Sequence, residues 1–322
     1  MKRSIFLVFC LVLLAGSSLN AGPVVPADID ANAVWYGHID MEAIMQMPLI
    51  KDKHKSAVEK TKGKTLLAQM AYKVGMQLMG EFLSATMYAT QYEGDFGVVL
   101  MKFRNELPKE NLHAIFAQKF PNRTETVLGN RTVYGWKMRC GREHKELSGC
   151  FVNDRQILIG IDLAHIEKAL AVLDAKRPAM TAQSPLFKGL TPGILFVSRA
   201  LDVPATYQVS TYCPVLRHCR EAFARWTSVG GTIRGRYEFQ ATDNEKAMLY
   251  QQAVDGMKAM FSLRFSDYDQ VMSLLDNFSN IQQGKAVIIT WEGTDDQIRK
   301  AYEQIRRMRR IIKNKRKQDN GR

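Results

Sequence analysis

"CFVNDRQILIGIDLAHIEKALAVLD", residues 150–174, decides the fold class. Two short apolar runs, "GCFV" and "QILIGID", flank the turn dipeptide Asn153-Asp154, so the chain doubles back as a hairpin. Asp162 then stands at the N-cap of the helix "LAHIEKALAVLD", with His165 near its start. Strands that return beside their predecessors and then give way to a helix predict antiparallel sheet with helices laid on it, an α+β arrangement.

Upstream, Gly129-Asn130 turns another hairpin, and "PKENLHAIFAQKF" is a helix opened by Pro108. "SATMYATQYEGDFGVVLMKF" predicts a hairpin turning at Glu93-Gly94-Asp95, and residues 56–83 carry helical periodicity. "AVWYGHID" (Ala33–Asp40) reads as a strand, with Asp40 capping a short helix that begins at Met41. The polar stretch "GREHKELSG" reads as a loop.

Downstream, residues 181–193 connect to a second set of elements in a similar order. "ILFVSRAL" is a strand, Cys213 to Ala224 is irregular or helical, and "ARWTSVGGTIRGRYEFQ" is a hairpin turning at Gly230-Gly231. Thr242 and Glu245 suggest a capping box for the helix "DNEKAMLYQQAVDGMKAMF". A helix near Tyr268 to Phe278, the strand "KAVIITW" and a last helix capped by Thr294 follow. The predicted organisation is a leader over 1–21, one α+β half over 22–180 and another over 194–313. Each half is an antiparallel sheet with helices on one face, and 314–322 form a basic tail.

The leader has the layout of a secretory signal peptide. Lys2 and Arg3 precede an apolar run from Ile5 to Ala15, and small residues lead up to Ala21. That run is shorter than the roughly 20 residues a membrane-spanning helix needs. Export to the periplasm or cell envelope is the expectation. It removes nucleic acid as an expected partner, although the chain carries a net charge of +13. The charge is local: residues 299–322 hold +9 of it, the leader +2, and residues 22–298 only +2.

Within the last helix Ile298, Ala301, Tyr302, Ile305, Met308 and Ile312 form an apolar stripe. Arg306, Arg307, Arg309, Arg310 and Lys313 stand mostly off it, and Lys315, Arg316 and Lys317 add charge beyond. Cations at a helix C-terminus complement its dipole. Each also gains about 1 kcal/mol near an anionic lipid surface. These eight residues are the candidate contact with an anionic membrane surface or an acidic protein partner.

Four cysteines follow the leader: Cys140, Cys150, Cys213 and Cys219. An even number in an exported chain suggests disulfides, with neighbour pairing (Cys140 to Cys150, Cys213 to Cys219) favoured among three connectivities. The remaining motifs fail on inspection. "KGKT" (Lys62–Thr65) lacks the earlier glycine of a phosphate loop, and "DIDAN" (Asp28–Asn32) lacks the turn glycine and closing glutamate of a calcium loop. His38 and Asp40 share a strand face, but no nucleophile motif accompanies them, so a helix cap and a sheet histidine are the simpler reading. No catalytic residue, cofactor or metal site is expected. Met41, Met45, Met47, Met70, Met76 and Met79 concentrate in one region, which fits a helical core or an adaptable groove for an apolar ligand.

"PADIDANAVWYGHIDMEAI", "GEFLSATMYATQYEGDFGVVLMKF" and "CFVNDRQILIGIDLAHIEKALAVLDAKRP" together resemble a group of uncharacterised exported proteins from planctomycete- and verrucomicrobia-type bacteria. The resemblance implies an exported α+β protein and brings no activity, cofactor or site residue with it. The functional expectation is a non-catalytic binding or structural protein of the envelope. A carrier of an apolar ligand is the alternative, and a hydrolase is the least favoured reading.

Overall fold

The computed structural model describes residues 23–45, 80–92, 97–140, 143–204 and 218–319; the side chains at 139, 140, 143, 144 and 309–319 are not described. The first half comprises β1 (Trp35–Asp40), α1 (Met41–Met45), β2 (Phe82–Ala89), β3 (Val98–Phe103), α2 (Lys109–Lys119), β4 (Thr124–Leu128), β5 (Arg131–Cys140), β6 (Glu143–Asn153), β7 (Gln156–Gly160) and α3 (Leu163–Leu173). The second comprises β8 (Ile194–Ala200), β9 (Cys219–Val229), β10 (Thr232–Ala241), α4 (Asn244–Phe265), α5 (Asp269–Asp276), β11 (Phe278–Gln283), β12 (Ala286–Thr294) and α6 (Asp295–Asp319).

The twelve described strands lie in one antiparallel sheet of order β11-β12-β10-β9-β8-β1-β2-β3-β7-β6-β5-β4, so the fold is α+β. The first strands of the two halves, β1 and β8, pair at its middle with His38 opposite Val197. Outward from that seam each half runs first strand, second, third, last, last but one; β5 and β4 extend the first half further. The hydroxyl of Tyr92 fastens the seam by donating to the carbonyls of Val34 and Leu201.

Side chains alternate between the sheet's two faces. One face, here the front, carries Tyr36, Tyr88, Leu100, Leu158 and Val197, and α3 buries Ile166, Ala169 and Leu170 against it. The back of the first half receives α2, whose His113 packs edge-on against Tyr134 and Phe151. In the second half α4, α5 and α6 all pack on the back. There Ala247, Tyr250 and Val254 meet Val287 and Ile289, and Ile298 meets Trp226 and Ile233. Helices thus occupy one face of the second half, as expected, and both faces of the first.

Local chemistry accounts for the element boundaries. Asp40 accepts from the Ala43 N–H at 2.9 Å, and Asp162 from the His165 N–H at 2.8 Å, each capping its helix. Thr294 and Gln297 cap each other reciprocally at the start of α6. Five expectations differ from the structure. Asp243, not Thr242, caps α4, accepting from Lys246 N–H at 2.8 Å. From Glu143 on, the supposed loop over 141–149 is the start of β6, paired with β5 through Lys137 and Glu146. β9 already begins at Cys219, and β11 lies where no strand was expected. Finally, α6 continues as helix through Asp319 rather than ending at 313.

Candidate functional site

His38 is 2% exposed, and its Nδ1 lies 2.8 Å from the hydroxyl of Thr86 across the β1–β2 ladder. Asp40 is fully buried and serves as a helix cap. A general base must reach its substrate's proton, and neither group faces solvent. Asp30 of "DIDAN" is equally buried, held by Arg177 at 3.2 Å and by the N–H of Asn32 at 2.9 Å. Among the described residues no cluster of His, Cys, Asp and Glu is arranged to hold a metal ion.

The expected Cys140–Cys150 disulfide is incompatible with the β5–β6 register. Cys140 pairs with Glu143, whereas Cys150 pairs with Val133, seven positions further along β5. At about 3.3 Å per residue that is roughly 23 Å, far beyond the Cα separation of about 4.4–6.8 Å that a disulfide tolerates. Cys150 is a buried free thiol. Cys213 lies outside the described residues, as do the leader and residues 46–79, which contain Met47, Met70, Met76 and Met79.

A methionine-rich surface does occur, on a different helix. α4 runs antiparallel to the edge strand β11: Gln282 bonds Asn244, Asn280 bonds Gln251, and Lys258 reaches the Phe278 carbonyl at 2.9 Å. Phe278 is the first residue of β11, so the last two turns of α4 overhang the sheet. With no described strand beneath them, Met260 is 65% and Leu263 81% exposed, and Met257 and Phe261 are also exposed. Sequence periodicity alone passes over these residues. The available signal is that α4 carries more apolar side chains than its single buried stripe of Ala247, Tyr250 and Val254 can use.

This overhang is linked to the basic helix through α5. α4 leads through Ser266, Asp267 and Tyr268 into α5, whose Gln270 N–H donates to Gln304 Oε1 of α6 at 3.2 Å. α5 and α6 lie antiparallel, with Leu274 packed near Ile298. Both Arg306 and Arg307, just past Gln304, are exposed, and the helical backbone carries Arg309, Arg310, Lys313, Lys315, Arg316 and Lys317 onward from the same end. Upstream, α6 is neutralised by its own acids: Arg299 pairs with Asp296 at 2.6 Å and Glu303 at 3.2 Å, and Lys300 with Asp296 at 2.7 Å. The unbalanced charge therefore begins just past Gln304, which bonds the first turn of α5, the helix that follows the apolar overhang. No described helix is long and apolar enough to cross a membrane.

No protein-family model matches the chain, and no curated protein matches it. Among solved structures, two crystal forms of TP0453, a spirochete protein, align with 89% and 88% of this chain and 99% of that chain. Identity is 10% in both, and the TM-scores are 0.48 and 0.41. That likeness is too slight to carry function across.

Proposed function

We propose that the protein is an exported, non-catalytic binding protein of the cell envelope that docks on an anionic lipid surface. The observation that supports this is that the apolar overhang of α4 and the start of the basic run on α6 both adjoin the first turn of α5. The eight cations supply long-range attraction, about 1 kcal/mol each near an anionic bilayer. Met257, Met260, Phe261 and Leu263 supply side chains that gain by leaving water at the headgroup boundary. An acidic protein partner would use the cations and leave the exposed apolar residues without a role. The common strand order of the halves fits an internal repeat, one half having kept a helix on its front face and the other not.

Flotation of the mature chain with vesicles tests this reading. Phosphatidylglycerol-containing vesicles should retain the protein at low salt and release it as salt rises; phosphatidylcholine vesicles should not retain it. Removing residues 306–322, or introducing Met260→Glu with Leu263→Glu, should each reduce retention. Retention unaffected by either change, at any salt, would sink the proposal.

A further inference from the structure

Among the described residues no α-helix covers the front face of the second half, and it displays arginines. β8 places Arg199 there, β9 places Arg225, and β10 places Arg234 and Arg236. Arg225 and Arg236 stand directly opposite each other in the β9–β10 register. Directly opposed like charges destabilise a sheet pair, so this juxtaposition calls for compensation.

The compensation present is incomplete. Arg234 has Glu292 at 3.3 Å, and Arg236 has Glu238 at 2.9 Å. Among the described residues Arg225 and Arg199 have no carboxylate within ion-pair distance; backbone carbonyls of the connecting segment hold them instead. Arg225 donates to the Gly189 carbonyl at 2.6 Å, and Arg199 donates to those of Lys188 at 2.8 Å and Pro185 at 3.4 Å. Arg199 also lies over the ring of Phe223, 4.5 Å from its centre, and its Nε is buried without a hydrogen-bond partner. Burial, and secondarily the charge of Arg236, lower the pKa of Arg225.

Around this pair the surface is concave. A hollow of about 570 Å³ is lined by Lys188, Arg199, Arg225 and Arg236, with Phe223 and Leu201 as apolar floor. Asp202, Glu221 and Glu238 border the same hollow, Glu238 being already engaged by Arg236. Arg225 and Arg236 also border a second hollow of about 590 Å³ beside Arg234 and Thr290.

We infer that this hollow is a binding site for the oxyanion group of a small molecule, a phosphate or a carboxylate, held between the opposed guanidinium groups of Arg225 and Arg236. Guanidinium forks match both groups bidentately. A ligand there converts an unfavourable cation pair into two charge-assisted contacts. The site lies on the face opposite α4 and α6, so it stands or falls independently of lipid binding.

The test is isothermal titration calorimetry, with thermal melting, of the mature chain against inorganic phosphate and against succinate, with chloride at equal ionic strength as reference. One or both anions should bind saturably and raise the melting temperature above that in chloride; which one does so names the ligand group. Arg236→Gln should weaken binding about tenfold or more. It should not lower the melting temperature in chloride, because it relieves the like-charge pair. Arg225→Gln should weaken binding similarly. The inference is overturned if neither anion binds saturably, or if Arg236→Gln responds like the natural chain. An Arg225→Gln chain that is less stable yet binds normally would make Arg225 a clamp on Gly189 and also overturn it. Should Arg225→Gln fail to fold, Arg236→Gln alone decides.

Discussion

The guanidinium of Arg131 grips the carboxylate of Asp174 through two parallel hydrogen bonds, each 2.8 Å long. Arg131 opens β5 and Asp174 closes α3, so this fork ties the outer strands of the first half to its front helix. The Arg131 Nε also donates to the Val152 carbonyl at 3.1 Å.

The fork should give stability a pH dependence. Hydrogen bonding to Arg131 holds the Asp174 carboxyl below the usual range. A depressed folded-state value contributes stability that is complete above the unfolded value, near 3.9, and is lost as pH falls through the folded one. Arg131→Gln should cost about 1–2 kcal/mol at neutral pH. In urea titrations the gap between variant and natural chain should close in acid, below about pH 4. A gap that stays constant into acid would mean that the packing of the arginine stem, not its charge, is what matters.

Cys150 should be inert in the native state. It is 3% exposed, and burial pushes its thiol up to about 11. Thiolate is the reactive form, so alkylation at neutral pH should be slow until urea unfolds the chain. Peptide mapping without reductant should yield no Cys140–Cys150 crosslink; finding one would refute the β5–β6 register.

His38→Ala should reduce stability. The ring fills a buried site and partners Thr86, so its loss leaves a cavity and an orphaned hydroxyl, at a cost of about 2–4 kcal/mol. Denaturant midpoints measure this directly. An unchanged midpoint would reopen a functional role for the histidine.

Two glycines with similar backbones should respond very differently to alanine. Gly97 and Gly129 have φ of +58° and +62°. A Cβ on Gly97 would sit 2.1 Å from the Tyr88 carbonyl oxygen, whereas one on Gly129 meets nothing within 4 Å. Gly129→Ala should therefore cost only the left-handed backbone penalty, about 1–2 kcal/mol. Gly97→Ala adds a clash with backbone, about 3 kcal/mol or more in total, and should show as loss of soluble expression. Equal midpoints for the two variants would contradict the close approach of β2 at Gly97.

What was legible in the sequence was local. Asp40, Asp162 and Thr294 marked helix starts because a short polar side chain before an apolar run has one efficient use, and the turn pairs Gly129-Asn130 and Gly230-Gly231 fell where the structure turns. β11 escaped notice because "FSNIQQ" is an edge strand, half-buried only at alternate positions and polar in composition. The strand at 143–149 hid because its sequence is polar and charged; exposed Glu146, for example, pairs across the ladder with Lys137. The arginine face was legible only in part. The turn at Gly230-Gly231 sets Arg225 opposite Arg236, but Arg199 joins them through the β8–β9 register, which no tight turn fixes.

The seam between β1 and β8 has a consequence for how the chain reaches this state. Strands within each half are joined largely by hairpins and short connections, but β1 and β8 are separated by most of the first half. Closing that pair must await two partly built sheets, each ending in an open edge, and distant pairings form slowly. Until they meet, the β1 edge of one molecule has a competent partner in the β8 edge of another. Crowded refolding should accordingly yield exchanged dimers, in which the halves are correctly built and the seam joins two chains.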